Sequence, residues 1–93
     1  MGRTKVPPAH SFRIKIKSKE IMRDYVALHA YTDSPLKKRI PPHEIWIRED
    51  VAQDNEKFKR IKTHELIELN LMHKGMPYAR AHEIANRFEK KVK

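Results

Sequence analysis

From Asp54 to Lys91 the sequence has helical periodicity broken at one point, Gly75-Met76-Pro77. Glycine is the usual left-handed stop of a helix, and a proline two residues later suits the first turn of the next. The spacing predicts a long helix capped by Asp50 or Asp54 and running to Lys74, then a second helix reaching about Lys91. So short a connection forces the two helices to pack antiparallel, as an αα-hairpin over residues 54–91.

At about 100° per residue, Phe58, Ile61, Leu69 and Met72 share one stripe of the first helix, and Glu65 and Glu68 fall inside it. Burying an ionised carboxylate without a partner costs several kcal/mol or more, so two of them on an apolar face require an explanation. His64 stands one turn before Glu68 on the flank of the same face. The second helix has an apolar stripe of Ala81, Ile84, Ala85, Phe88 and Val92 with Tyr78 and His82 on its border, while Glu83 points away into solvent.

Distance along the hairpin selects the partners. Glu68 lies seven residues before Gly75 and His82 seven after it, so each sits about 10 Å from the turn at a 1.5 Å rise. The two should be level, with His64 one turn further along. His, Glu and His form one of the donor sets of zinc, so His64, Glu68 and His82 are the expected ligands of a divalent cation, zinc or another, with Glu65 beside them. Other pairings stay open. Glu65 and Glu68 could pair with Arg60, Lys62 or a cation from the amino-terminal half, and His82 could be a hydrogen-bonded border residue. The dipeptide His-Glu occurs three times, at His43, His64 and His82, and carries no information alone. His73 falls on the other side of the helix, and His10, His29 and His43 read as ordinary polar residues.

Upstream, Pro7 and Pro8 mark residues 1–10 as a flexible or extended lead-in. Ser11 to Lys17 alternates, with Phe12, Ile14 and Ile16 against Arg13, Lys15 and Lys17, which predicts a half-buried strand. Ser18 can cap a helix from Lys19 to Tyr31, although the aromatic and β-branched residues near its end leave a strand from Tyr25 to Tyr31 as the alternative. Residues 32–42, with three prolines, read as loop, and Glu44 to Arg48 as a second strand. The expected fold is one α+β domain over residues 1–93: a small antiparallel sheet packed on helices and ending in the hairpin.

A chain of 93 residues supports only one modest core, and a bound metal would add to its stability. There is no cysteine, which excludes disulfides, thiolate zinc sites and thiol catalysis. No stretch approaches the roughly 18–20 apolar residues of a membrane span and no signal-peptide pattern appears, so the expected location is the cytoplasm. Scarce Asn and Gln with abundant Lys, Arg and Glu lean towards a thermophilic source. The net charge of +9 is uneven: residues 1–42 hold ten Lys and Arg against three acids, and residues 43–93 hold eleven against nine. Arg13, Lys15 and Lys17 on the first strand and Lys37, Lys38 and Arg39 in the loop are candidates for phosphate contacts, so nucleic acid is an alternative partner. The lack of a reading motif and of aromatics near these cations argues against it, and a small interaction or adaptor protein is a third reading.

From Ile45 to Phe88, about half of the chain, the sequence resembles the minimal core of zincin-type metallopeptidases, particularly small phage and archaeal proteins so described. The carriers are the strand Glu44 to Arg48, a helix bearing His64-Glu65-x-x-Glu68, and a following helix bearing His82. The resemblance implies His64 as first ligand, Glu65 as general base, His82 as a downstream third ligand, and a strand before the motif helix that can pair with an extended substrate. This chain departs from the pattern at Glu68, where the family has its second histidine. A carboxylate can coordinate zinc but reduces its Lewis acidity. The implied activity is metal-assisted hydrolysis of an amide or peptide, and His73 and Tyr78 near the turn are candidates to stabilise the oxyanion.

Overall fold

A computed structural model describes residues 6–32 and 34–91. The chain forms β1 (Arg13–Lys17), a one-turn helix α1 (Lys19–Met22), β2 (Ala27–His29), a 3-10 turn at Pro35–Arg39, β3 (Glu44–Arg48), a one-turn helix α2 (Glu49–Ala52), and the hairpin helices α3 (Asn55–His73) and α4 (Tyr78–Lys91). The fold is α+β with a C-terminal helix pair, as expected.

The sheet has the order β1-β3-β2. It is mixed rather than antiparallel throughout: β2 runs antiparallel to β3, but β1 runs parallel to it, with Ile14 beside Ile45 and Lys17 beside Arg48. The reason lies in the connection. A parallel pair needs a long crossover, and residues 18–43, with α1, β2 and the 3-10 turn, supply it.

The crossover covers one face of β3, and α3 with its neighbours covers the other. Ile45 and Ile47 pack with Val6, Val51 and Leu69 towards α3. On the opposite face Trp46 packs with Met22, Leu28 and Ile40. Each such side chain, fully buried, contributes about 1.5–3 kcal/mol, so β3 anchors two small cores at once. Being central, it has both edges in the ladder, which rules out the substrate pairing that the zincin resemblance implies for the strand before the motif helix.

The helix expected to reach Tyr31 stops at Met22. Ser18 does cap it, its Oγ accepting from the Ile21 N–H at 3.3 Å, but Arg23 turns to a left-handed φ of 54° and the chain re-enters as β2. Pairing wins because Ala27, Leu28 and His29 align with Ile47, Trp46 and Ile45, and β-branched and aromatic residues near the proposed helix end have little helical preference to oppose it. Of the lead-in, residues 1–5 lie outside the described residues. From Val6 onward the chain is packed: Val6 is buried, and its carbonyl accepts from His73 Nδ1 at 2.7 Å.

The hairpin follows its local signals. Asp54 caps α3, its Oδ1 accepting from the N–H groups of Glu56 and Lys57 at 3.1 Å. At the other end Met76 N–H bonds to Leu71 C=O and Gly75 N–H to Met72 C=O. This is the paired arrangement that closes a helix on a left-handed residue, here Gly75 at φ 105°. Pro77 places its carbonyl to accept from Ala81 N–H at 3.0 Å, starting α4. Ala81 and Ala85 are fully buried, and their small side chains let α4 lie close to α3.

Candidate metal centre

Glu68 sits at the middle of the site. Its carboxylate is 1% exposed, and three histidines from three elements point at it: His29 from β2, His64 from α3 and His82 from α4. The hairpin brings His64 and His82 to one side. His64 Nε2 is 3.2 Å and His82 Nδ1 is 2.7 Å from Glu68 Oε2, and the two nitrogens are 3.3 Å apart. This is the predicted trio, level across the helix pair.

Two sides of the triangle have the spacing that a tetrahedral metal requires. Donors bound at about 2.0–2.1 Å to one tetrahedral zinc stand about 3.3–3.4 Å from one another, and two sides of the triangle are 3.2 and 3.3 Å. The third, at 2.7 Å, is shorter. The circle through the three atoms has a radius of about 1.8 Å, so a point about 1 Å off their plane lies within zinc-binding distance of all three. These buried His and Glu groups could hold a metal ion. His82, with a side chain 43% exposed, is the solvent edge of the cluster, and Tyr78 stacks on it with ring centroids 5.4 Å apart.

Sequence alone marks His29 as an ordinary polar residue; the structure places it fully buried in the centre of the cluster. Its Nδ1 accepts from the Tyr31 N–H at 3.2 Å, and the turn is closed by Thr32, whose Oγ1 accepts from the His29 N–H at 3.3 Å. In a neutral imidazole whose Nδ1 accepts, Nε2 carries the proton. His29 Nε2 therefore donates to Glu68 Oε1, 2.6 Å away. His29, Glu65 and Glu68 also lie close enough together to be considered as donors, but the proton on Nε2 assigns His29 to holding Glu68 instead. A buried hydrogen bond to one carboxylate oxygen leaves the other aimed at His64 and His82, the role that outer partners of metal ligands usually play.

Burial alone raises the Glu68 pKa. Hydrogen bonds from His29, His64 and His82 outweigh it and lower the value from 4.5 to about 2. The carboxylate is therefore ionised, as a ligand must be. Its partners are histidines; Arg60 and Lys62 are not among them.

Glu65, the expected general base, is buried beside the trio, with Oε2 3.8 Å from His64 Nε2 and Oε1 3.9 Å from His29 Nε2. Of the two candidates for an oxyanion contact, Tyr78 is at the site, its hydroxyl 3.5 Å from His82 Nδ1, whereas His73 is bound to Val6. The basic residues are elsewhere. Arg13 and Lys15 are exposed on β1 and Lys17 sits over the Trp46 ring, on the face of the sheet away from α3. Lys37, Lys38 and Arg39 are exposed on the 3-10 turn, whose own Leu36 and the following Ile40 pack on that same face. No helix is long and apolar enough to cross a membrane, among the described residues. No family model, curated protein or solved structure matches the chain.

Proposed function

We propose that this is a small zincin-like metal-binding protein that holds zinc through His64, Glu68 and His82 and acts as a metal-dependent peptidase or amide hydrolase. One observation carries the reading: three donor atoms from two antiparallel helices close to within 2.7–3.3 Å of one another around an ionised carboxylate. Without an ion the two imidazole nitrogens donate to one Glu68 oxygen; a divalent cation would replace those protons and be held by all three atoms.

When bound, the ion supplies a Lewis acid that polarises a carbonyl and lowers the pKa of water. The chain's own groups then divide the work. His29 fixes Glu68, and Glu68 with the two histidines presents lone pairs to one point. Glu65, buried one residue after His64, takes the proton of the attacking water and returns it to the leaving amine. Tyr78, stacked on His82, is placed to donate to the oxyanion. A carboxylate in place of the second histidine weakens the Lewis acid, so turnover should be slow and binding firm.

The test is thermal unfolding of the full chain with zinc and with excess chelator. At free zinc a hundredfold above Kd, stabilisation is about 2.7 kcal/mol, or roughly 10–20 °C in Tm for a domain of this size. Identical melting in both conditions, with no bound metal, overturns the reading.

A further inference from the structure

Away from the metal cluster, the first strand carries a feature that the proposed hydrolase does not use. β1 is an edge strand, and alternation puts Arg13, Lys15 and Lys17 on one face of it. Residues two apart on a strand are spaced about 6.6–6.8 Å, comparable with successive phosphates of an extended nucleic-acid strand. The row is a single line of charge, which fits one phosphate chain. Lys17 is steadied by Trp46, its Nζ 4.6 Å from the ring centroid.

Each end of β1 is joined through the backbone to another basic segment. Lys17 is the register partner of Arg48, and Arg48 lines a cavity of about 210 Å³ together with Asp50, Lys57 and Arg60, with Val26, Val51 and Ile61 as apolar walls. Arg48 is held by Asp50, Nε to Oδ1 at 2.6 Å. Lys57 and Arg60 have no carboxylate within ion-pair distance among the described residues, and neither do Arg13 and Lys15. At the other end Arg13 N–H donates to the His43 carbonyl at 2.8 Å, which joins the row to the segment following the basic 3-10 turn. Glu44, the register partner of Arg13, accepts from the Trp46 Nε1–H. Like charges lined up this way repel one another in the folded chain, and a polyanion relieves that repulsion.

We propose that a single-stranded nucleic acid binds along this face, with Arg13, Lys15 and Lys17 on successive phosphates, and passes the Lys17–Arg48 end of the sheet to the α3 side, where the cavity of Lys57 and Arg60 receives one further phosphate with an unstacked base against its apolar walls. The surface is separate from the metal cluster, so it stands or falls independently of the hydrolase reading.

The experiment is fluorescence anisotropy of the full chain with labelled 20-nucleotide oligo-U, oligo-dT and a duplex of equal length, at two salt concentrations. Each phosphate contact on a single strand contributes about 0.7 to the log–log salt slope, so the three contacts of the row with the one in the cavity predict about 50-fold weaker binding on going from about 50 to 200 mM salt. Either single strand should bind more tightly than the duplex. Arg13→Gln with Lys15→Gln should reduce the slope by about 1.4. Lys57→Gln with Arg60→Gln, on the exposed surface of α3, should weaken binding without changing the circular dichroism. His82→Ala should bind the oligonucleotides as the parent does. Absence of single-strand binding at low salt, equal or tighter binding of the duplex, or unchanged affinity in both double variants would overturn the proposal.

Discussion

His29 Nε2 lies 2.6 Å from Glu68 Oε1, joining a strand to a helix 39 positions further along the chain through a bond that is wholly buried. Because Tyr31 N–H occupies the opposite ring nitrogen, this bond has one direction, imidazole to carboxylate. It turns Glu68 so that its second oxygen faces His64 and His82, and it couples the sheet to the proposed metal site.

His29→Gln should therefore weaken zinc binding by roughly 10- to 100-fold, the usual effect of removing an outer partner of a ligand, while leaving all three donors in place. Isothermal titration with zinc reads this directly. Unchanged affinity would mean that Glu68 needs no help in orientation.

Glu65→Gln separates binding from chemistry. Loss of a general base costs about 10²–10⁴ in rate, whereas zinc stoichiometry should stay the same because Glu65 is outside the trio. A peptidase or amidase assay run beside elemental analysis checks both parts, and a variant that turned over substrate as fast as the parent would remove Glu65 from the mechanism.

Glu68 also sets an acid limit on stability. Its pKa is depressed in the folded chain, from 4.5 to about 2, so its contribution is fully present above pH 4.5 and is lost as pH falls through about 2. Urea unfolding of the metal-free chain from pH 6 down to pH 2 should show stability declining across that window. The decline should be smaller in Glu68→Gln, which has no carboxyl to protonate.

Gly75 tests the hairpin itself. A Cβ there would meet nothing within 4 Å, but φ is 105°. The cost of Gly75→Ala is then conformational, about 1–2 kcal/mol, and should appear in denaturant unfolding without loss of the ability to bind zinc.

The legibility of this site in sequence follows the range of the contacts that make it. Asp54, Gly75 and Pro77 are local signals, and once they fix the hairpin, the positions of Glu68 and His82 seven residues either side of the turn bring them level. His64, Glu68 and His82 could be grouped from helix geometry alone. His29 could not, because its place depends on β2 pairing with β3 and on a turn closed by Tyr31 and Thr32. Ser18 and the spacing of Ile21, Met22, Tyr25 and Val26 imitate a helix strongly enough to mask this. The alternative strand over Tyr25 to Tyr31 held the usable signal, since it places Ala27, His29 and Tyr31 on one face. The parallel pairing of β1 was hidden for the same reason: nothing in two short alternating segments states their relative direction.

The most direct test of the central claim is metal analysis of the purified chain beside His82→Ala. His82 is the half-exposed member of the trio, so its replacement removes a donor with little loss of core packing. The account predicts about one zinc per parent chain and a large loss of zinc from the variant while its circular dichroism is retained. A parent chain that takes up no divalent metal, or a variant that holds zinc as tightly as the parent, would contradict it.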